Sequence, residues 1–210
     1  MGLGTVRVAI RSVMSMVPII IATNNPGKRQ EMRELLRDYK LEIVDQDSLP
    51  EVDETGEDYA ENAILKARAA ALHYGMWALG DDTGLEVDAL DGAPGLRSAR
   101  LAGPKATDAD RRANLLVLLG EHERPWYATF VSVVALVSPD GGVDMAEGRC
   151  RGEIIPHEQG EMGFGYDSIF LVEGENKTMA ELTMDEKNRL SHRARAVRSL
   201  EPVLQKRLAK

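Results

Sequence analysis

Two adjacent carboxylates, Asp81 and Asp82, lie with the hydroxyl of Thr83 in the glycine-flanked segment 80–84, directly after an apolar run at 76–79. The run has the length of a short buried strand, and the glycines predict a turn after it. Ligands collect at the carboxyl ends of strands in open α/β sheets, and paired carboxylates can hold a metal ion. An ordinary turn, in which the aspartates bind their own backbone, explains the segment equally well.

A candidate anion-binding segment follows the β-branched strand predicted at 17–22. The residues at 23–28, TNNPGK, predict a polar turn at which a helix begins, with Asn25 as its N-cap and Pro26 at its first position. A helix start offers free N–H groups and a positive dipole end to an anion, and Lys28 adds a charge. A routine strand-to-helix connection with a solvated lysine is the alternative.

An acidic stretch at 51–58 leads into a second predicted helix, ENAILKARAAALHYG. Asn62 and Lys66 are four residues apart in it, so they share one face and can point at one ligand. Acids that precede a helix are usually solvated or helix-capping groups. A metal-binding role for Asp53 or Glu54 therefore needs support from other parts of the chain.

The segment 160–167, GEMGFGYD, is dense in glycine and contains Phe164 and Tyr166. Glycine lets the backbone approach a ligand, and an exposed aromatic ring can stack on a base. A tight turn with buried aromatic rings is the alternative. One last helix is predicted from about Met184 onward, and spacing does not settle whether its His192 and Arg193 point inward.

The other patterns predict an α/β protein with a mixed sheet. A strand is expected at 41–45, and Gly75 is expected to end the second helix. Thr107 with Asp108 can cap a helix that runs to Gly120. The β-branched run at 127–137 predicts a hairpin, because the turn signal SPDGG follows it, and a hairpin makes the sheet mixed.

Composition narrows the class of protein. The 210 residues are 43% hydrophobic, which is enough for a substantial core, and the net charge of −8 argues against a general nucleic-acid surface. Local cations or a metal ion can still bind a small polyanion. The single cysteine, Cys150, excludes an internal disulfide, which favours a cytoplasmic location.

The first 17 residues contain no apolar run of the length that a secretory core or a membrane span requires. We expect residues 1–16 to be a disordered extension and residues 17–210 to form a single domain. An amphipathic targeting peptide at the N-terminus is the alternative.

Together, these segments resemble the inosine/xanthosine triphosphate pyrophosphatases from about Ile19 to Leu200. The similarity lies in five ordered blocks: ATNNPGK at 22–28, ENAILKA at 61–67, DDTGLEVDALDGAPGLRSARLAG at 81–103, GFGYDSIF at 163–170 and AELTMDEKNRLSHRARA at 180–196. Two positions depart from the family's usual pattern. Ser168 stands in place of proline, and Ala194 stands in place of glycine.

The resemblance implies a two-lobed α/β fold around an elongated mixed β-sheet, with helices packed on it and the active site in the cleft between the lobes. It also implies a homodimer that hydrolyses deaminated purine nucleoside triphosphates (ITP, dITP and XTP) to the monophosphate and pyrophosphate with Mg²⁺. Neither a nucleic acid nor a membrane is expected as a partner. The alternatives are a pyrophosphatase for other modified nucleotides and a non-catalytic nucleotide-binding sensor.

The resemblance also implies residue roles. Asp82 is the expected proton acceptor and a metal ligand, Asp53 or Glu54 is the second metal acid, and Asp81 supports them. The offset from Gly56 favours Asp53. The implied substrate-binding residues are Thr23, Asn24, Asn25, Pro26, Gly27, Lys28, Lys66, Thr83, Phe164, Gly165, Tyr166, Asp167, Lys187, His192 and Arg193.

Within that set, Lys28, Lys66 and Lys187 are expected to grip the phosphates, and Phe164 is expected to stack on the purine. The residues at 166–167 and 192–193 would read the edge of the base. A hydrogen-bond donor aimed at position 6 of the purine pairs with an oxo group. An amino group at that position leaves the donor unpaired, at a cost of about 1–3 kcal/mol.

Overall fold

The computed structural model describes residues 16–208. The strands are β1 (Val17–Ala22), β2 (Leu41–Ile43), β3 (Trp77–Val87), β4 (Pro94–Gly95), β5 (Trp126–Val137), β6 (Val143–Ile154) and β7 (Phe170–Val172). The helices are α1 (Pro26–Leu36), α2 (Tyr59–Tyr74), α3 (Asp108–Leu119), α4 (Met184–Leu190) and α5 (His192–Leu208). Short 3-10 helices lie at Asp88–Leu90, Ser98–Arg100 and Asp167–Ile169.

The described strands form one seven-stranded sheet in the order β2-β1-β3-β5-β6-β7, with β4 paired to β3. The pairs β1–β2 and β1–β3 are parallel, whereas β3, β5, β6 and β7 pair in antiparallel fashion. The hairpin β5–β6 therefore makes the sheet mixed, as its sequence predicts.

Helices cover this long sheet in two lobes, which confirms the expected fold class. In the first lobe, α1 and α5 pack on one face around Leu79 and Leu200, and α2 packs on the opposite face around Ala63. In the second lobe, α3 packs its buried Leu115 and Leu119 against the far ends of β3, β5 and β6. The apolar face of each helix thus determines which part of the sheet it covers.

The prediction of a turn at 80–84 is wrong, because β3 runs without interruption from Trp77 to Val87. Gly80 serves the packing of a helix on the strand. A Cβ atom at this position would overlap the carbonyl oxygen of Ala63 in α2. The glycine therefore lets α2 approach β3 closely, and no reversal of the chain is involved.

Several local predictions are confirmed. Asn25 caps α1 with Pro26 in its first turn, Gly75 ends α2 in the left-handed conformation, and a capping box at Thr107 starts α3. The single last helix is a wrong prediction, because Ser191 takes an extended conformation between α4 and α5. This break directs the first residues of α5 into the protein interior.

No helix within residues 16–208 combines the length and apolar character needed to cross a membrane. The expected extension at 1–16 lies outside the described residues, apart from the exposed Met16.

Candidate active site

A cleft of about 310 Å³ opens where β1 ends beside β3. The last parallel pair is Ala22 with Gly80, so Asp82 and Thr83 lie just beyond the carboxyl end of β1. Both lobes contribute to the walls. The predicted residues that line the cleft are Thr23, Asn24, Asn25, Lys28, Glu54, Lys66, Asp82, Thr83, Phe164, Gly165, Tyr166, Asp167, Lys187, His192 and Arg193.

Neighbouring side chains of a strand point to opposite faces of the sheet, and this alternation separates the two aspartates. Asp82 points toward α2. Its Oδ1 accepts a hydrogen bond from Lys66 at 2.7 Å, and its Oδ2 lies 3.4 Å from the amide nitrogen of Asn62. The predicted shared face of Asn62 and Lys66 is thus aimed at Asp82.

Burial raises the pKa of Asp82, and the nearby Lys66 offsets only part of this effect. Burial lowers the pKa of Lys66, but Asp82, Glu54 and Asp81 together raise it above its ordinary value, so Lys66 stays protonated. A carboxylate with a raised pKa is a better proton acceptor than an ordinary aspartate. Asp82 therefore has the position and the basicity of a general base that faces the cleft.

Asp81 points to the other face, toward α1 and α5. It is 2% exposed and accepts hydrogen bonds from Ser132 at 2.5 Å and Lys28 at 2.8 Å, while Arg193 lies 3.3 Å away. Burial would raise the pKa of Asp81, but Arg193 and Lys28 hold it well below its ordinary value. Asp81 is therefore a permanent negative charge that positions the cations around it.

A second buried acid, Glu31 on α1, continues this network. It pairs with Arg193 and lies 2.5 Å from Lys187, whose ammonium group also contacts Asp167 at 2.7 Å. Lys187 lies 5.3 Å from the centre of the Phe164 ring. The structure thus groups Lys187 with Phe164 and Asp167, on the side of the aromatic loop, although the sequence grouped it with the phosphate-binding lysines.

The start of α1 packs directly against the aromatic loop. A Cβ atom at Gly27 would overlap the Phe164 ring, so only glycine allows this approach. The side chain of Asn25 accepts a hydrogen bond from the backbone N–H of Lys28 at 3.0 Å. Neither Pro26 nor Gly27 lines the cleft, and both shape it through the backbone of α1.

Tyr166 and His192 close the buried end of the cleft. Tyr166 lines the cleft, and its hydroxyl is occupied because it donates to the carbonyl of Ser98 at 2.8 Å. His192 stacks on Phe130 at 4.7 Å. Burial and then Arg193 hold the pKa of His192 well below its ordinary value, so the ring is neutral. Its buried Nδ1 has no hydrogen-bond partner within residues 16–208.

Two acids near the cleft, Glu54 and Asp82, are candidates to hold a metal ion. Glu54 and Asp82 converge on the Lys66 ammonium, at 3.2 and 2.7 Å, so their oxygens already share one cation. Residues 16–208 contain no group of three or more His, Cys, Asp or Glu side chains arranged for a metal. Two carboxylates fit Mg²⁺, which keeps several waters and is completed by substrate phosphates.

The structure brings Glu54, and not Asp53, to this position. Asp53 is absent from the cleft lining within residues 16–208, whereas Glu54 lines the cleft, contacts Lys66 and also pairs with Arg100 at 2.7 Å. The offset from Gly56, which favoured Asp53, does not determine which of these two adjacent side chains faces the cleft.

Sequence patterns missed Glu31 and Ser132. Glu31 lies three residues after Lys28 on α1, and this helical spacing could have indicated it. Ser132 reaches Asp81 only because β5 pairs with β3 in a register that places it opposite Thr83. No local signal in the sequence contains that register.

Comparison with known proteins gives a match to the Ham1 family model over residues 19–203. A protein of an Exiguobacterium species, named dITP/XTP pyrophosphatase, is 48% identical over 187 residues, which cover 87% of this chain and 94% of the relative.

Solved structures agree with this match. A HAM1 protein from Coxiella burnetii superimposes with a TM-score of 0.82 at 42% identity and covers 91% of this chain and 100% of its own. The Ham1 protein of Staphylococcus aureus superimposes with a TM-score of 0.78 at 39% identity, over 90% of this chain and 98% of its own.

Proposed function

Since this chain belongs to the Ham1 family, we propose that it hydrolyses deaminated purine nucleoside triphosphates (ITP, dITP and XTP) to the nucleoside monophosphate and pyrophosphate. Relatives named dITP/XTP pyrophosphatase support the reaction. The observation in this molecule that carries it is Asp82, a basic carboxylate in a cleft that also contains Lys28, Lys66 and the Phe164 ring.

In the proposed reaction, a water oxygen attacks the α-phosphorus, the bond to the bridging oxygen breaks, and pyrophosphate leaves. Asp82 accepts the proton of the attacking water. Lys66 holds Asp82 in place through its 2.7 Å contact and contributes positive charge near the phosphates. These groups supply orientation and charge neutralisation, which are the main requirements of phosphoryl chemistry.

We assign Mg²⁺ to Asp82 and Glu54, and we prefer Glu54 to Asp53 because Glu54 lines the cleft. A magnesium ion bound there would neutralise charge on the phosphate oxygens. The Lys66 ammonium contacts both carboxylates, at 3.2 and 2.7 Å, so the space between them favours positive charge and supports a cation site.

The triphosphate is assigned to the start of α1. Backbone N–H groups at the helix start and the Lys28 ammonium can bind phosphate oxygens, and the segment 23–25 forms the adjoining wall. Lys28 is held by Asp81 at 2.8 Å, so its position is fixed before substrate arrives.

The base is assigned to the side of the cleft with Phe164. Its ring can stack on a purine, and Lys187 can donate to a 6-oxo group from its place beside Asp167. The ring of Tyr166 and neutral His192 form the remaining walls. Arg193 lines the pocket 5.9 Å from the centre of the Phe164 ring, and its ion pairs with the buried Glu31 and Asp81 hold it there.

We further propose a single domain over 17–210, a homodimer and a cytoplasmic location. The match to one family model over nearly that range supports the domain assignment. A lone buried cysteine suits a reducing compartment, and the net charge of −8 supports a small-molecule substrate over a nucleic acid.

The proposed function is tested by measuring pyrophosphate release from ITP, XTP, GTP, ATP and methylated pyrimidine triphosphates, with Mg²⁺ and with excess chelator. We expect the deaminated purines to be hydrolysed fastest and chelation to abolish the activity. Equal rates with ATP would refute the substrate class, and activity that survives exhaustive chelation would refute the metal.

Asp82→Asn is the matched variant. It retains the shape of the side chain and removes the base, so we expect turnover to fall by a factor of about 10² or more while ITP still binds. Full activity of this variant would eliminate Asp82 as the base. A wild-type protein that binds ITP without turnover would be the nucleotide sensor.

A further inference from the structure

The aromatic loop at 158–168 is fastened to α3 by a group of contacts in which, among the described residues, Gly165 and Asp108 line the cleft and Arg112 does not. Both backbone polar groups of one residue, Gly165, are bound by side chains of this helix. The Gly165 N–H donates to Asp108 at 2.8 Å, and the Gly165 carbonyl accepts from Arg112 at 2.7 Å. Gly165 therefore cannot move without breaking charge-assisted hydrogen bonds.

Arg112 also joins the two ends of the same loop. Its second guanidinium nitrogen lies 2.9 Å from Glu158, and that carboxylate accepts a hydrogen bond from the Ser168 hydroxyl at 3.0 Å. The backbone N–H of Gln159 donates to the carbonyl of Ser168 at 2.8 Å and closes the neck of the loop.

The element that carries Arg112 is rigid. Leu115 and Leu119 of α3 are fully buried in the core of the second lobe. On its other side, the loop rests on the first lobe, because Phe164 packs against Gly27 of α1. The loop thus spans both lobes, and Arg112 fixes its attachment to the second.

From these contacts we infer that Arg112, together with Glu158 and Ser168, is a positioning group for nucleotide binding. It holds the Phe164 and Tyr166 rings in the conformation that receives the base. Arg112 is absent from the cleft lining within residues 16–208, so it acts through Gly165 and does not touch the substrate. The inference depends on the proposed function in one respect, namely that the loop receives a purine base.

The alternative is that Arg112 and Glu158 form a surface ion pair with no role in nucleotide binding. The two interpretations predict different measurements. Glu158 is half exposed, and an exposed pair alone contributes little. Without the bond to the Gly165 carbonyl, the loop would populate other conformations, and the apparent affinity would fall with the competent fraction. The chemical step at Asp82 would be unaffected.

The experiment compares Arg112→Met with the wild type and with Arg207→Met. Arg207 pairs with Asp144 on the exposed surface and provides the matched control. For Arg112→Met we expect KM for ITP to rise about 10-fold with kcat changed less than about 2-fold. The inhibition constant of IMP should rise by the same factor, and that of pyrophosphate should stay constant. Arg207→Met should change none of these values.

Two further variants keep the test decisive if Arg112→Met folds poorly. Arg112→Lys retains one donor and should recover part of the affinity, whereas Ser168→Ala should raise KM about 2-fold. Unchanged KM in all of them would overturn the inference, and so would equal increases in the inhibition constants of IMP and pyrophosphate. Calorimetry measures the affinity of each variant for IMP without turnover. A failure of the proposed reaction can therefore be distinguished from a failure of this inference.

Discussion

Replacing Arg193 with methionine is expected to be among the most destabilising single changes in the first lobe. The side chain is 1% exposed, and its guanidinium pairs with Glu31 and Asp81, which are themselves 6% and 2% exposed. Methionine retains much of the apolar volume and removes the charge. Both carboxylates then lose a cation that they cannot replace with water.

The charges of this cluster determine how much stability the substitution removes. Glu31, Asp81 and Asp167 are balanced by Lys28, Lys187 and Arg193. Without the arginine, the cluster has a net negative charge in a buried site, and such a loss costs about 3–5 kcal/mol. For a chain of this length, each kcal/mol lowers the Tm by about 2–4 °C, so we expect a decrease of about 6–20 °C.

Thermal unfolding at pH 7 measures this effect, with Arg207→Met as the control for losing an exposed ion pair, which should cost about 1 kcal/mol or less. The double change Arg193→Met with Glu31→Gln restores charge balance and should recover part of the Tm. The reasoning would be refuted if the two arginine variants had equal Tm values, or if the second substitution lowered the Tm of Arg193→Met further.

The remaining predictions concern pH and packing. Because the pKa of His192 is held well below its ordinary value, the unfolded chain binds more protons than the folded protein once the pH falls below about 6.5, so stability is lost in that window. We expect protonation of this residue in the unfolded chain to lower the free energy of unfolding by about 1.4 kcal/mol between about pH 8 and pH 5.5. Urea titrations at both pH values should show this decrease in the wild type and not in His192→Gln. An equal decrease in the two proteins would contradict the prediction. Gly80→Ala should cost about 1–3 kcal/mol or more and lower kcat, because its Cβ would displace α2 and with it Lys66. Gly120→Ala is the control, because its added Cβ would make only ordinary contacts. If the two glycine variants unfolded at the same urea concentration, the result would argue against close packing of α2 on β3.

Local signals predicted much of the fold. The Asn25 cap, the Gly75 helix end, the capping box at Thr107 and the hairpin at 127–154 all depend on residues a few positions apart, and each was confirmed. Local signals failed at 80–84, where glycines that admit a helix have the same appearance in the sequence as glycines of a turn. They failed again at Ser191, where the helical pattern continues across a break in the backbone.

By itself, the sequence determined which chemical groups are present and in what order, and through its five blocks it determined the family. Tertiary structure decided which groups meet. Alternation along β3 sends Asp82 to α2 and Asp81 to α5, and strand register brings Ser132 to Asp81. The segment before α2 presents Glu54 to the cleft, and Arg112 of α3 binds the carbonyl of Gly165. These contacts join residues far apart in the chain, so their geometry depends on how helices and strands pack and not on any local spacing.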